Sequence, residues 1–165
     1  LSTTTYTYNG KVKTPSVTVK DAKGTKLTKN TDYTVKYASG RKNVGKYKVT
    51  VTMKGNYSGT KTLYLTINPP KTSVSKLSAA KKSLKVTIKK KSSQVTGYQI
   101  EYSTSKSFKS KYTKSRTVKS YKTTSTTLKN LKAKKTYYVR VRTYKTVKGK
   151  KYYSKWSKAK KVRTK

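Results

Sequence analysis

Apolar and polar residues alternate along most of this chain, and no stretch sustains the three-to-four-residue spacing of an amphipathic helix. In the first part, Val17 and Val19 alternate with Thr18 and Lys20. Tyr33, Val35 and Tyr37 form a second set, Tyr47, Val49, Val51 and Met53 a third, and Leu63, Leu65 and Ile67 a fourth. Between them, Asn9-Gly10, Asp21-Ala22-Lys23-Gly24, Ser39-Gly40 and Gly55-Asn56 supply the positive backbone angles and side-chain turns that reverse a chain. Further on the alternating sets are Leu84, Val86 and Ile88, then Tyr98, Ile100 and Tyr102, then Tyr137, Val139 and Val141. Short strands at this spacing predict an all-β protein built of antiparallel sheet.

A break falls at Pro69-Pro70, after the run ending at Ile67 and before a fresh start at Val74. Proline cannot continue a central strand, so the pair reads as a stiff linker. The pattern predicts two small antiparallel β-sandwich domains in tandem, residues 1–69 and 70–165. Charge divides there too: 13 basic and 2 acidic side chains (net +11) precede the break, and 31 basic and 1 acidic (net +30) follow it.

Composition sharpens the picture. Ile, Leu, Val and Phe make up only 27 of 165 residues, and the net charge is +41, a balance that ordinarily leaves a chain disordered. The 16 tyrosines change that expectation, because each brings a large apolar ring with a polar tip to a thin core. With no Cys and no His, thiol chemistry, disulfides, Cys/His metal sites and His-based triads are absent. Carboxylates occur only at Asp21, Asp32 and Glu101, too few for paired-carboxylate hydrolysis or an oxygen-ligand metal cage. No catalytic residue, cofactor or metal is expected, and the chain reads as a non-enzyme. It starts at Leu1 and has no apolar run of signal-peptide or membrane-spanning length, so it reads as a piece of a longer protein with no membrane span.

Two local patterns resemble reactive motifs. Gly40 to Lys46 has the glycine and lysine spacing of a phosphate-binding loop, but Tyr47 stands where magnesium needs a hydroxyl, and a strand pattern follows in place of a helix; a hairpin connection is expected. Ser and Thr are abundant, yet none has a histidine base, so they read as strand-face residues.

Residues 77 to 165 resemble a fibronectin type III domain. Leu84-Lys85-Val86-Thr87-Ile88 is similar to its second strand and Gly97 to Ser103, GYQIEYS, to its third. Leu131 to Val141, LKAKKTYYVRV, is similar to its penultimate-strand signature, with Ala133-Lys134 in place of the usual Pro-Gly. The resemblance implies that Tyr137 is a corner tyrosine, buried, packed on Leu131, its hydroxyl bonded to a backbone carbonyl upstream near the loop at 131–135. Tyr153-Ser154-Lys155-Trp156-Ser157 resembles the WSXWS signature of cytokine-receptor domains of that family, which implies an arginine stacked on Trp156. Arg140 and Arg142 alternate with inward Val139 and Val141, so they face outward where they can serve, and outward Glu101 is expected beside them. Residues 6 to 67 resemble the short immunoglobulin-like or MBG-like repeats of Gram-positive surface proteins, through Tyr8-Asn9-Gly10, Pro15, Asp32-Tyr33, Val44-Gly45 and Gly55 to Gly59.

These resemblances imply an extracellular, monomeric spacer or adhesive segment of a bacterial cell-surface or secreted protein. The charge suggests an anionic cell-wall polymer as partner, with Lys129, Lys132, Lys134 and Lys135 around one turn and Lys148, Lys150 and Lys151 around another as the binding candidates. Two alternatives stay open: an adhesin module that binds a host protein, and, ranked below it, a basic protein that binds nucleic acid.

Overall fold

The alternating sets become strands wherever a neighbouring segment can pair with them. The computed structural model describes all 165 residues, which divide into unit 1, Leu1–Asn68, and unit 2, Pro69–Lys165. Unit 1 holds β1 (Thr5–Thr7), β2 (Tyr33–Tyr37), β3 (Gly45–Met53) and β4 (Thr60–Asn68), ordered β1-β4-β3-β2 in one sheet. Its pairings are antiparallel except that β1 lies parallel to β4, with Tyr6 beside Ile67. Val49, Leu65 and Ile67 are buried on the inner face, while Lys46, Lys48, Thr62 and Tyr64 alternate outward.

One alternating set does not become a strand. Val17 and Val19 lie in an extended segment whose ladder contact is a single bridge, Lys20 to Lys26, yet both valines pack on the core. Isolated backbone bonds hold the segment, Ser2 N–H to the Ser16 carbonyl (2.9 Å) and Leu27 N–H to the Val19 carbonyl (3.0 Å), together with side chains of the sheet. The Tyr33 hydroxyl donates to the Val17 carbonyl (3.1 Å), and the Tyr37 hydroxyl to the Pro15 carbonyl (2.6 Å). Alternation marks a chain with one face buried; whether it also pairs depends on a free edge beside it.

Unit 2 is a two-sheet sandwich. β5 (Val74–Ala80), β6 (Ser83–Ile88) and β9 (Ser125–Leu128) form a sheet in the order β5-β6-β9. The second sheet contains β7 (Gly97–Ser103), β8 (Thr113–Val118), β10 (Thr136–Val147), β11 (Lys150–Tyr153) and β12 (Lys160–Arg163). Its order is β11-β10-β7-β8, with β12 also pairing β10. The inward residues of both sheets make one core that includes Leu84, Val86, Tyr98, Ile100, Leu128, Leu131, Tyr137, Val139 and Val141. Pro70 is tied to this unit, its carbonyl accepting from the Thr143 hydroxyl (2.6 Å).

Gly97 marks the tightest spot. A Cβ there would collide with the Val118 carbonyl oxygen, so β7 and β8 can approach only because the position carries no side chain. The β10–β11 hairpin turns on Lys148 and Gly149, both at positive φ (46° and 76°), as a two-residue loop of this hand requires.

Candidate functional site

β10 and β7 pair so that Arg140 stands opposite Glu101 and Arg142 opposite Gln99. The alternation that buries Val139 and Val141 turns both arginines outward. Arg140 Nε donates to Glu101 Oε2 (2.8 Å), its Nη2 lies 2.6 Å from the same oxygen, and Arg142 Nε donates to Gln99 Oε1 (2.8 Å). Each guanidinium is thus fixed at its edge by β7, which leaves its faces for aromatic rings.

The rings arrive from two sides. Arg142 lies over Tyr153 (4.0 Å to the centroid) and Trp156 (4.3 Å), and Arg140 over Trp156 (4.8 Å) and Phe108 (4.0 Å). The result is an alternating stack, Tyr153, Arg142, Trp156, Arg140, Phe108, in which each contact contributes roughly 0.5 to 2 kcal/mol. Burial pushes the Arg142 guanidinium below its ordinary value, Tyr153 and Glu101 pull it back up, and Arg140 lowers it.

Trp156 reaches this position because the strand line from β11 to β12 is interrupted. Ser154 and Ser157 replace its ladder: their hydroxyls accept the amides of Thr143 (3.1 Å) and Val141 (3.0 Å), while their own amides donate to the carbonyls of the same two residues. β10 keeps its hydrogen bonds, and the indole between the serines is presented to the arginines.

Tyr137 is buried beside Leu131. Its hydroxyl has a different partner from the one its resemblance implied: the Lys132 amide donates to it at 3.0 Å, so the phenol accepts from an N–H where a carbonyl acceptor was expected. Lys134, in the place of the family's glycine, takes the left-handed conformation at φ 51°.

The candidate lysines fall into two groups. Lys129, Lys132, Lys134 and Lys135 precede β10, and Lys148, Lys150 and Lys151 follow it. All seven are exposed. At about 3.3 Å per residue the 12-residue strand sets the groups roughly 36 Å apart, at opposite ends of unit 2. At the first end Lys132 and Lys135 line a cleft of about 370 Å³ together with Lys111 and Lys114, which the sequence reading did not single out. Leu131, Tyr102 and Tyr137 give it apolar lining, Tyr112 contributes a half-exposed ring, and Thr104 and Asn130 add polar groups. Burial raises the Tyr102 phenol above its ordinary value, against the nearby Arg116 charge and with a smaller upward push from Tyr137, so it is a neutral hydroxyl at physiological pH. Lys129 and Lys134 stand outside the lining.

The carboxylates are used locally. Asp21 accepts the amides of Lys23 and Thr25, Asp32 that of Thr28, and Glu101 makes the chain's one ion pair with Arg140. None of the three faces the lysine-lined cleft.

A three-stranded and a five-stranded sheet facing across one core, with a buried tyrosine at the start of β10, define the class of small β-sandwich modules. Within that class the chain belongs to the fibronectin type III family: the model described as Fibronectin type III domain matches residues 68–160, more than half of the chain. Domains of this family are generally non-catalytic binding or spacer modules. Among solved structures, the chain is similar to the FN1–FN3 domains of chicken CNTN1, at 20% identity and a TM-score of 0.51, over 74% of this chain and 43% of that one. It therefore spans less than half of the CNTN1 segment. A two-domain fibronectin type III segment of chicken tenascin aligns at 17% identity and a TM-score of 0.47, over 73% of this chain and 66% of that one. The fn3 domain of the human collagen alpha-1(XX) chain aligns at 22% identity and a TM-score of 0.42, over 56% and 83%. No curated protein matches the chain. No helix is long and apolar enough to cross a membrane.

Proposed function

We propose that this chain is a non-catalytic, extracellular segment of a bacterial cell-surface or secreted protein, in which an immunoglobulin-like or MBG-like unit and a fibronectin type III unit together act as a spacer that holds anionic cell-wall polymer. The observation that carries the reading is the disposition of charge: the carboxylates are consumed in two turns and one ion pair, while the candidate lysines stand exposed at both ends of unit 2. Lysine is a hydrated point charge that suits loose, repeated contact with phosphates, whereas two of the five arginines, Arg140 and Arg142, are locked into the aromatic stack. A host-protein partner would call for an apolar patch; unit 2 offers one exposed large apolar side chain, Tyr112, among lysines.

The test is retention on purified walls with and without teichoic acid. Retention on complete walls should fall steeply as salt rises from roughly 50 to 500 mM, because each lysine–phosphate contact releases a counterion. Unit 2, with net +30, should keep most of the binding when the units are separated at Pro69. Equal retention on stripped walls overturns the reading, and tighter binding to competing duplex DNA replaces it with nucleic-acid binding.

A further inference from the structure

The cleft at the first end of unit 2 has more in it than charge. A polyanion held only by counterion release needs no cavity, yet here four lysines surround a space of about 370 Å³ with a tyrosine wall, at the small end of the roughly 300–1,000 Å³ range of ligand pockets. The lining holds four lysines and no carboxylate, so its charge repels a cationic ligand, and none of its residues is an arginine. It combines apolar surface from Leu131, Tyr102 and Tyr137, a half-exposed ring at Tyr112, hydroxyl and amide groups at Thr104 and Asn130, and ammonium groups at the rim.

We infer that this cleft is a subsite for one acidic sugar residue, its ring against Tyr112 and half-buried Tyr102 and its phosphate or carboxylate among Lys111, Lys114, Lys132 and Lys135. Each part of the lining matches one part of such a ligand. The C–H face of a pyranose is apolar and meets an aromatic ring, its hydroxyls need donors and acceptors such as Thr104 and Asn130, and its anionic group needs cations. A bare phosphate leaves the tyrosine wall unused. A nucleic-acid strand needs a continuous basic groove with successive stacking platforms. Here Tyr112 is the one exposed ring in the cleft, and the second lysine group lies at the opposite end of β10.

The inference deepens the polymer reading, and rests on it for the identity of the natural ligand but not for the binding of the sugar itself. Lys132 and Lys135 suit its test because their folding roles use backbone atoms: the Lys132 amide meets Tyr137, the Lys135 amide meets the Thr164 hydroxyl, and both side chains are exposed.

The whole chain is titrated by calorimetry at fixed ionic strength with glucose 6-phosphate, glucuronate, glucose, inorganic phosphate and AMP. The phosphorylated and carboxylated sugars should saturate at one site, with glucose, phosphate and AMP at least about tenfold weaker. The double variant Lys132→Gln/Lys135→Gln should weaken sugar binding by about tenfold, and Tyr112→Ala by about fivefold. Lys148→Gln/Lys150→Gln, which removes the same charge at the other end, should leave it within about twofold. Phosphate or AMP binding as tightly as glucose 6-phosphate, or equal losses from the two lysine pairs, overturns the subsite. If wall retention persists while no sugar saturates, the subsite falls and polymer binding stands; if sugars saturate while complete and stripped walls retain the chain equally, the subsite stands and polymer binding falls.

Discussion

Unit 2 closes one core of 13 buried apolar side chains between two sheets, whereas unit 1 has a single sheet and two buried groups of 3, one of them completed by Leu27 from outside the sheet. Both draw on the same apolar-poor composition, so the difference lies in how the second layer is held. In unit 2 a paired sheet supplies it, and the backbone satisfies itself. In unit 1 a segment with one bridge and a few isolated backbone bonds supplies it, and tyrosine hydroxyls reach across the core to bond its carbonyls. A polar tip on a large ring thus lets a segment without a ladder serve as a layer.

The largest test of this contrast is Gly97→Ala. Overpacking β7 against β8 should cost unit 2 about 3 kcal/mol or more and leave unit 1 unchanged. The single tryptophan, Trp156, lies in unit 2, so fluorescence-detected denaturation reads that unit alone, and circular dichroism reads both.

Alkaline titration should separate the units next. Burial raises the phenols of Tyr98, Tyr102 and Tyr144 in unit 2 and of Tyr37 in unit 1 above 10.0. A raised phenol favours the neutral ring in the folded state, so the stability it carries is fully present below pH 10 and is lost as pH rises through the folded value. Unit 2, with three such groups, should lose more of its stability than unit 1 above pH 10, and phenolate absorbance should show a late phase that disappears in denaturant.

A smaller and opposite effect comes from Tyr37→Phe, which leaves the Pro15 carbonyl without its donor. It should destabilise unit 1 by about 1 kcal/mol while the Trp156 transition stays in place. No change would mean that the Tyr37 hydroxyl does not hold the second layer. The smallest effect is a gain: Lys134→Gly relieves a left-handed lysine at some cost in chain entropy, and should stabilise unit 2 by roughly 0.5 kcal/mol.

Much of unit 2 was legible in the sequence because its central strands bury one face cleanly. Leu84, Val86 and Ile88, Tyr98 and Ile100, and Tyr137, Val139 and Val141 all alternate and all reach the core. β8 escaped notice because Thr113–Val118 is polar on both faces until Val118, and its pairing with β7 is set by Gly97 and not by its own pattern. The segment at Val17–Lys20 misled in the other direction, since a half-buried segment alternates whether or not a neighbour pairs with it. The arginine stack followed from register: outward Arg140 and Arg142 must meet whatever β7 places opposite. Phe108 has no such signal, because it enters from a loop at φ 54°. The cleft was hidden for a related reason. Lys111 and Tyr112 lie in a short 3-10 turn, Ser110–Tyr112, and Lys114 just after it, and only the closure of the sandwich brings them to the loop at 130–135.

The span of β10 has a kinetic consequence. At physiological ionic strength a charge is felt over about 8 Å, so the lysine groups roughly 36 Å apart are separate footholds, with exposed Lys155, Lys158, Lys160 and Lys161 beside β10 between them. A short flexible polyanion that touches only one foothold leaves as soon as that contact opens. One long enough is recaptured by the second foothold before it diffuses away, with a local concentration that depends on its length. Dwell time on this module should therefore rise with chain length up to the span of β10 and level off beyond it, which makes a strand of sheet a ruler for the polymers it retains.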